Sequence, residues 1–418
     1  MRKKILLKGP LLTRSGYGEQ ARFALRSLAS RSDLFEIFIQ PLQWGSTSWL
    51  AELDEEREWI DRTIEKTIGY LQQGGTFDMS LQVTIPNEWE RMAPINIGYT
   101  AGIETTRVAP QWIEIGNQVE KIIVVSNHSK DVYKNTQYIA QNQETQEEVN
   151  LELNKQVVAV NYPVKQYEIS EDLELDLEYD FNFLAVAQMG PRKNLLNTIK
   201  WFVEEFKDEE VGLVVKTNKA KNCLLDREYT LNEMKNFLAA LGDRKCKVYM
   251  LHGDMTDEEV HALYVHPKLN AFVTFTHGEG FGLPIFEAAY SSMPVVATGW
   301  SGQLDFLIDD DKKENFYNVS FDIQPVPDSA VWDGVIVKDC MWAYPREQSA
   351  KEQMRQCYED ITSKAEDSIA ANADQYRTWL CEKFAEEKMY AEFVAAVIDE
   401  EKFDVESWLE GLNLQEIE

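Results

Sequence analysis

Apolar, strand-like runs alternate with segments of helical period along most of this chain, and they do so in two separate series. In the first series Lys4–Lys8, Phe35–Ile39, Met79–Ile85, Ile95–Tyr99 and Lys121–Ser126 read as strands. Glu19–Ala29, Asp54–Gln72, Gln111–Asn117 and Ser129–Asn135 read as the helices between them. The second series has strands Phe181–Ala187, Val211–Thr217, Lys247–Leu251, Ala271–Thr276 and Pro294–Thr298, with helices Asn194–Phe206, Thr230–Leu241, Thr256–Val265 and Leu283–Ser291. Strands joined through helices pair in parallel, so each series predicts one doubly wound sheet. The expected fold class is therefore α/β, with two Rossmann-like domains, a cleft between them and a helical C-terminal extension. A chain of 418 residues is too long for one core and suits two.

The boundary is read from polarity. Asn142–Asn154 is rich in Gln and Glu and Glu168–Asp180 is acidic, so both are expected on the surface around Val157–Val164, with the hinge near Tyr162–Asp180. The expected division is a first domain over 1–165, a second over 166–345 and a helical tail over 346–418. In the tail, Glu347–Asp360 and Ala365–Val397 carry long charged helical patterns and no strand signal.

Charge narrows the partners. The chain carries 42 basic and 71 acidic side chains, a net charge of −29, whereas a non-specific binder of polyanions needs the opposite sign. Residues 1–40 run against this trend, with eight Arg/Lys and three acids, while 347–418 hold 19 acids and seven bases. Nucleic acid is disfavoured, and the basic N-terminal stretch is its one foothold. No apolar run approaches the roughly 18–20 residues that span a bilayer, so no stable membrane insertion is expected. The three-residue apolar stretch after Met1-Arg2-Lys3-Lys4 is short for a signal peptide and reads as a first strand. Five cysteines without a C-x-x-C pairing fit neither a disulfide scaffold nor a zinc site, and a cytoplasmic setting is expected.

The chemistry concentrates in Thr276-His277-Gly278-Glu279-Gly280-Phe281-Gly282-Leu283-Pro284-Ile285-Phe286-Glu287, directly after a strand. Its glycines allow a sharp turn and close approach, and Pro284 suits a first helical turn. A glycine loop opening a helix aims free N–H groups and a partial positive charge at an anion such as phosphate. Glu279 and Glu287 are eight residues apart, so two carboxylates can line one cleft and accept from different hydroxyls. Hydroxyl acceptors beside a diphosphate cradle suit a sugar nucleotide. Arg192, Lys193 and Lys216 lie at two neighbouring strand ends, where a parallel sheet makes them converge outside its carboxyl edge. Cations there stabilise the charge that develops when a sugar–phosphate bond breaks.

Glu279-Gly-Phe-Gly-Leu-Pro-Ile-Phe-Glu287 resembles the E-x7-E motif of retaining glycosyltransferases of the GT-B fold, specifically glycosyltransferase family 4. Other segments match in order. Met189-Gly-Pro-Arg192-Lys193-Asn194 resembles the segment that opens the donor domain, and Val214-Val215-Lys216-Thr217 the second basic strand end. His252-Gly253-Asp254-Met255, before a Thr256-x-x-Glu259 capping box, resembles the loop passing the nucleobase. Trp342-Ala-Tyr-Pro345 with Met354-Arg355-x-x-Tyr358 resembles the segment where the chain crosses back to the first domain. The likeness covers roughly residues 180–360 and reaches the first domain only loosely. One departure is Gln188, five residues before Lys193, where many members carry arginine.

The resemblance implies a retaining transfer from a UDP- or GDP-linked sugar. Glu287 would hold the ribose hydroxyls and Glu279 the sugar hydroxyls, with Gly280, Phe281 and Gly282 against the sugar or phosphates. Lys193, Lys216 and Arg192 would face the leaving diphosphate, and His252 and Gly253 the base. In the first domain, Gly9-Pro-Leu-Leu-Thr-Arg14-Ser-Gly16-Tyr-Gly18 resembles the glycine loop facing the donor phosphates, which makes Gly16 and Gly18 donor-side candidates. Glu104, in Tyr99-Thr-Ala-Gly102-Ile-Glu104, resembles an acid near the acceptor that orients its hydroxyl or stabilises cationic sugar character. His128, in Ser126-Asn127-His128-Ser129, is the second acceptor-side candidate.

No D-x-D stands at a strand end, Asp309-Asp310-Asp311 reads as a surface turn, and the five histidines show no metal-ligand spacing. Basic side chains in place of Mg²⁺ imply metal-independent chemistry with no cofactor required. An epimerase of the same architecture and a silent sugar-nucleotide binder are the rival readings. The acceptor stays open among glycan chains, lipid-linked sugars, small metabolites and hydroxymethylated DNA bases, with a glycan or a modified DNA base to the fore. The donor-domain wording, Arg192-Lys-Asn with Lys216-Thr-Asn, is similar to that of bacteriophage-encoded glycosyltransferases, for which the setting would be the host cytoplasm.

Overall fold

The computed structural model describes residues 2–45, 47–141, 147–167 and 173–398. Residues 399–418 of the expected tail, and 142–146 and 168–172 of the expected surface segments, lie outside the described residues. The first domain runs β1 (Lys3–Gly9), α1 (Gly16–Ala29), β2 (Phe35–Pro41), α2 (Glu55–Gln72), β3 (Met79–Val83), β4 (Ile95–Thr100), α3 (Pro110–Gly116), β5 (Lys121–Val124) and α4 (Asn127–Asn135). A hairpin of β6 (Tyr138–Gln141) and β7 (Glu148–Leu151) precedes β8 (Gln156–Ala159). The sheet order is β2-β1-β3-β4-β5-β8, parallel throughout. Helices cover both faces, so the strands are apolar without alternation: Ile5, Leu6 and Leu7 of β1 are all buried.

The second domain runs β9 (Asn182–Val186), α5 (Leu195–Glu205), β10 (Gly212–Lys216), α6 (Leu224–Ala240), β11 (Lys247–Leu251), α7 (Asp257–Tyr264), β12 (Ala271–Thr274), α8 (Leu283–Tyr290), β13 (Val295–Thr298), α9 (Leu304–Leu307) and β14 (Tyr317–Val319). Its parallel order is β11-β10-β9-β12-β13-β14. The order reverses between β9 and β12, and the crevice outside the carboxyl ends at such a point is where ligands bind. The loop 187–194 leaves β9 and the loop 275–282 leaves β12, so both open onto that crevice. The expected capping box at α7 forms in both directions, Glu259 N to Thr256 Oγ1 and Thr256 N to Glu259 Oε2.

After β14 the chain adds an antiparallel hairpin, β15 (Phe321–Pro325) and β16 (Met341–Pro345), then α10 (Glu347–Ser363), α11 (Ala373–Lys383) and α12 (Glu386–Val397). Ala365–Val397, which reads as one helical pattern, forms two helices because Phe384 turns inward. Its ring meets Phe286 at 5.3 Å, and its carbonyl accepts from Val164 N at 2.8 Å. Trp342–Tyr358 does not cross to the first domain as the resemblance implied. Trp342–Pro345 pairs with β15, and Arg355 of α10 binds Glu205 and Glu209 beside α5. The return comes later, where Phe393 of α12 packs against Phe23 of α1 at 5.2 Å and Tyr99 of β4 at 5.1 Å. No described helix is long and apolar enough to cross a membrane.

Candidate active site

The two sheets turn their carboxyl edges toward one another across a cavity of about 820 Å³. The loop after β12 forms its floor, and its glycines have a use beyond ligand approach. A Cβ on Gly280 would sit 2.0 Å from the carbonyl oxygen of Ala101, and one on Gly278 would sit 2.5 Å from that of Glu104. The second domain can seat on the first at this point because two side chains are missing. Gly282, at φ +99°, then turns the chain into α8.

This seat fixes Glu279. Its amide donates to Ser301 Oγ at 2.8 Å, and Ser301 Oγ donates in turn to Gln303 Oε1 at 2.9 Å. Its carboxylate accepts from Lys193 Nζ at 2.6 Å and Arg192 Nη1 at 2.9 Å. Arg192 Nη1 also donates to the carbonyl of Gly278 at 2.6 Å, and Nη2 lies 3.3 Å from Glu104 of the first domain. Two acids and two bases thus form one cluster across the domain boundary. Burial raises the Glu279 pKa, but Arg192 and Lys193 outweigh it and hold the carboxyl at about 2. Burial lowers the Lys193 pKa, with help from Arg192, and burial raises that of Glu104.

Glu287 lines the same cavity in a different setting. Tyr264 donates to it at 2.9 Å, while Lys165, the nearby cation, spends its charge on Glu19 at 2.8 Å and Asp257 at 3.5 Å. Burial therefore prevails and pushes the Glu287 carboxyl up to about 7. The motif's two glutamates face one cleft with opposite tendencies, one held ionised and one poised to gain a proton.

Lys216 was expected to converge with Arg192 and Lys193. All three line the cavity, but Lys216 turns to the loop after β11, where it donates to the carbonyl of Gly253 at 2.8 Å. The same loop takes Arg14 of the first domain, whose Nη1 donates to the carbonyl of Met255 at 2.5 Å. Among the described residues Arg14 has an ion pair only with the exposed Glu52, at 3.9 Å, and Lys216 has none. Burial lowers the Lys216 pKa, and Asp254 only partly opposes this while Arg14 adds to it. Two cations from opposite domains are held side by side, which is a cradle for an anion. The N-terminus of the 14-residue α1, capped by Ser15, opens onto the same space and adds its partial positive charge.

Gly16, Glu104, Arg192, Lys193, Lys216, Gly253, Glu279, Gly280, Phe281, Gly282 and Glu287 all line the cavity. Gly18, His128 and His252 do not. A Cβ on Gly18 would meet the carbonyl oxygen of Thr13 at 2.0 Å, so this glycine serves the fit of the loop onto α1. The His252 side chain is buried against Asp226 at 2.9 Å, and Asp226 accepts from the backbone of Lys219, Ala220 and Lys221. His252 thus shapes the rim loop through Asp226. His128 is half-buried, edge-on to Trp300 at 4.9 Å, and burial pulls its pKa down to about 4. Asp309–Asp311 is a self-bonded turn, with Asp309 accepting from the amides of Asp311 and Lys313. Sequence reasoning passed over Arg14, although it stands in the loop after β1 where the same strand-edge argument applies. It had no signal for Lys165 or for the segment between β15 and β16.

No family model matches the chain, and no curated relative matches it. Solved structures do. Sucrose-phosphate synthase of Thermosynechococcus elongatus aligns over 97% of this chain and 100% of its own at 12% identity, with a TM-score of 0.60. HepE of Anabaena, solved with UDP and glucose, aligns over 95% and 99% at 12% identity, TM-score 0.57. A glycosyltransferase of Rickettsia africae aligns over 94% and 97% at 12% identity, also with a TM-score of 0.57. The chain has the fold these proteins share, the two-domain GT-B architecture.

Proposed function

We propose that the protein is a retaining glycosyltransferase that moves a hexose from a UDP- or GDP-linked donor to a hydroxyl acceptor, without a metal ion or other cofactor. The observation that carries this reading is the cavity that Glu279 and Glu287 line together with the cations Arg192, Lys193, Lys216 and Arg14. In this reading Glu287 takes the ribose hydroxyls and Glu279 the sugar hydroxyls, while Lys216 and Arg14 take the diphosphate. Arg192 and Lys193 lie between, already paired with Glu279, so a donor phosphate shares them with the carboxylate. Structural relatives such as HepE, solved with UDP and glucose, support a nucleotide-sugar donor.

The step needs no separate base. The bond from the anomeric carbon to the donor phosphate breaks on one face, the acceptor oxygen bonds the same carbon on that face, and the acceptor proton passes to the departing phosphate oxygen. Cations fixed where the charge appears need no reorganisation as it forms. The close seat of the domains at Gly278 and Gly280 holds the two halves of the cleft together around the donor in this reading. The test is product NMR after reaction with UDP-glucose or GDP-mannose in excess chelator. The α-anomer is expected from the α-linked donor at undiminished rate. A β-linked product, an epimerised donor or loss of activity on chelation would each refute a named part of the reading.

A further inference from the structure

Between β15 and β16 the chain leaves the second domain and reaches across to the first. Asn87 Nδ2 donates to the carbonyl of Gly334 at 3.0 Å, Met341 N donates to Thr106 Oγ1 at 3.1 Å, and Arg107 pairs with Asp339. The arm is therefore pinned at its tip and at its base against the carboxyl edge of the first sheet, on the side that carries Glu104. Beside the tip stands Trp332, whose backbone is locked by two hydrogen bonds with Ile336 at 2.8 and 3.0 Å. Trp332 is 57% exposed and lines the cavity with Val335 and Ile336. The first domain contributes Trp44, Thr47 and Ser48 to the same cavity. The Trp44 ring is itself fixed, 4.3 Å from that of Tyr17.

A large aromatic face left in water on a rigid mount inside a cleft signals a ligand. We propose that the part of the cavity lined by the arm and by Trp44, Thr47 and Ser48 is the acceptor subsite, that its occupant is a carbohydrate, and that Trp332 is the platform on which a sugar ring rests. The inference rests on the transfer reading above and names its acceptor class. A sugar presents an apolar C–H face and a rim of hydroxyls, and the cavity is lined here by the Trp332 indole and, from the first domain, by Thr47 and Ser48, the Thr47 hydroxyl donating to the carbonyl of Trp44 and so left to accept. A polynucleotide would also stack on an indole, but it brings a phosphate chain to a protein of net charge −29.

The experiment uses the full chain with UDP, three unmodified tetrasaccharides (maltotetraose, cellotetraose and mannotetraose) and a single-stranded oligonucleotide carrying hydroxymethylcytosine. Saturation-transfer NMR reports their binding to the wild type, Trp332→Ala and Trp332→Phe. A UDP-induced rise in melting temperature shows that each variant is folded with its donor side intact. Trp332→Ala is expected to weaken the preferred saccharide about tenfold, and Trp332→Phe to restore it to within about threefold. Equal saccharide affinity in Trp332→Ala and wild type would overturn the assignment. So would UDP binding with none of the saccharides bound, or preferential binding of a single-stranded oligonucleotide carrying hydroxymethylcytosine. If UDP fails to stabilise even the wild type, the transfer reading falls and this inference falls with it.

Discussion

Glu287 gives a prediction whose size and sign both follow from its surroundings. Its carboxyl is moved from an ordinary 4.5 to about 7 because burial outweighs the hydrogen bond from Tyr264 and the neighbouring Lys165. One pKa unit is worth about 1.4 kcal/mol, so the upper limit of the cost of ionising it in the empty fold is about 3 kcal/mol. Partial exposure screens this to about 1–2 kcal/mol. A raised folded pKa sets the sign. Below about pH 4.5 the group is protonated in both folded and unfolded chains and costs nothing, and the penalty grows as pH rises and is complete above about pH 7. Glu287→Gln should therefore leave the unliganded melting temperature unchanged near pH 4.5 and raise it above pH 7. Ribose hydroxyls donate to the charged form, so UDP should bind the wild type more tightly as pH rises toward 7, with a proton released on binding near pH 6. Calorimetry in buffers of different ionisation enthalpy measures that proton directly. If Glu287→Gln keeps the wild-type pH slope, or if UDP binds with no proton released, the role given to Glu287 is wrong.

Glu279→Gln removes the counter-charge of Arg192 and Lys193, so transfer should fall at least ~100-fold while UDP affinity rises or holds, as equilibrium binding and initial rates would show. Gly280→Ala places a methyl about where the Ala101 carbonyl lies, so the domains must part. Transfer should drop more than ~10-fold, UDP binding should weaken as Arg14 is drawn away from Lys216, and small-angle scattering should report a larger radius of gyration. Arg14→Ala should weaken UDP about 10-fold and leave uridine affinity alone, since only the diphosphate meets that side chain.

Much of this was legible because parallel sheets announce themselves. Runs such as Phe183–Ala185 in β9 and Leu213–Val215 in β10 are buried on both faces and so read as continuous apolar stretches. The strand ends then locate the cleft, which is why Glu279, Glu287, Lys193 and Lys216 are found together. What stayed hidden depends on tertiary partners. Nothing in Phe321–Pro345 alternates cleanly, because its apolar groups serve a small separate cluster of Val326, Cys340 and Trp342 and the contact with Arg107. Gly278 and Gly280 read as ligand-facing flexibility, whereas the backbone of Ala101 and Glu104 is what demands them. The pairing of Lys216 with Arg14 rather than with Lys193 joins residues about two hundred positions apart, and no local pattern encodes it.

Every role assigned above requires a nucleoside diphosphate lying across this cavity with its phosphates between the domains. A crystal structure with UDP decides whether it does. The diphosphate is expected within hydrogen-bonding distance of Lys216 and Arg14, and the ribose hydroxyls on Glu287. Phosphates bound elsewhere, or a ribose with no contact to Glu287, would contradict it.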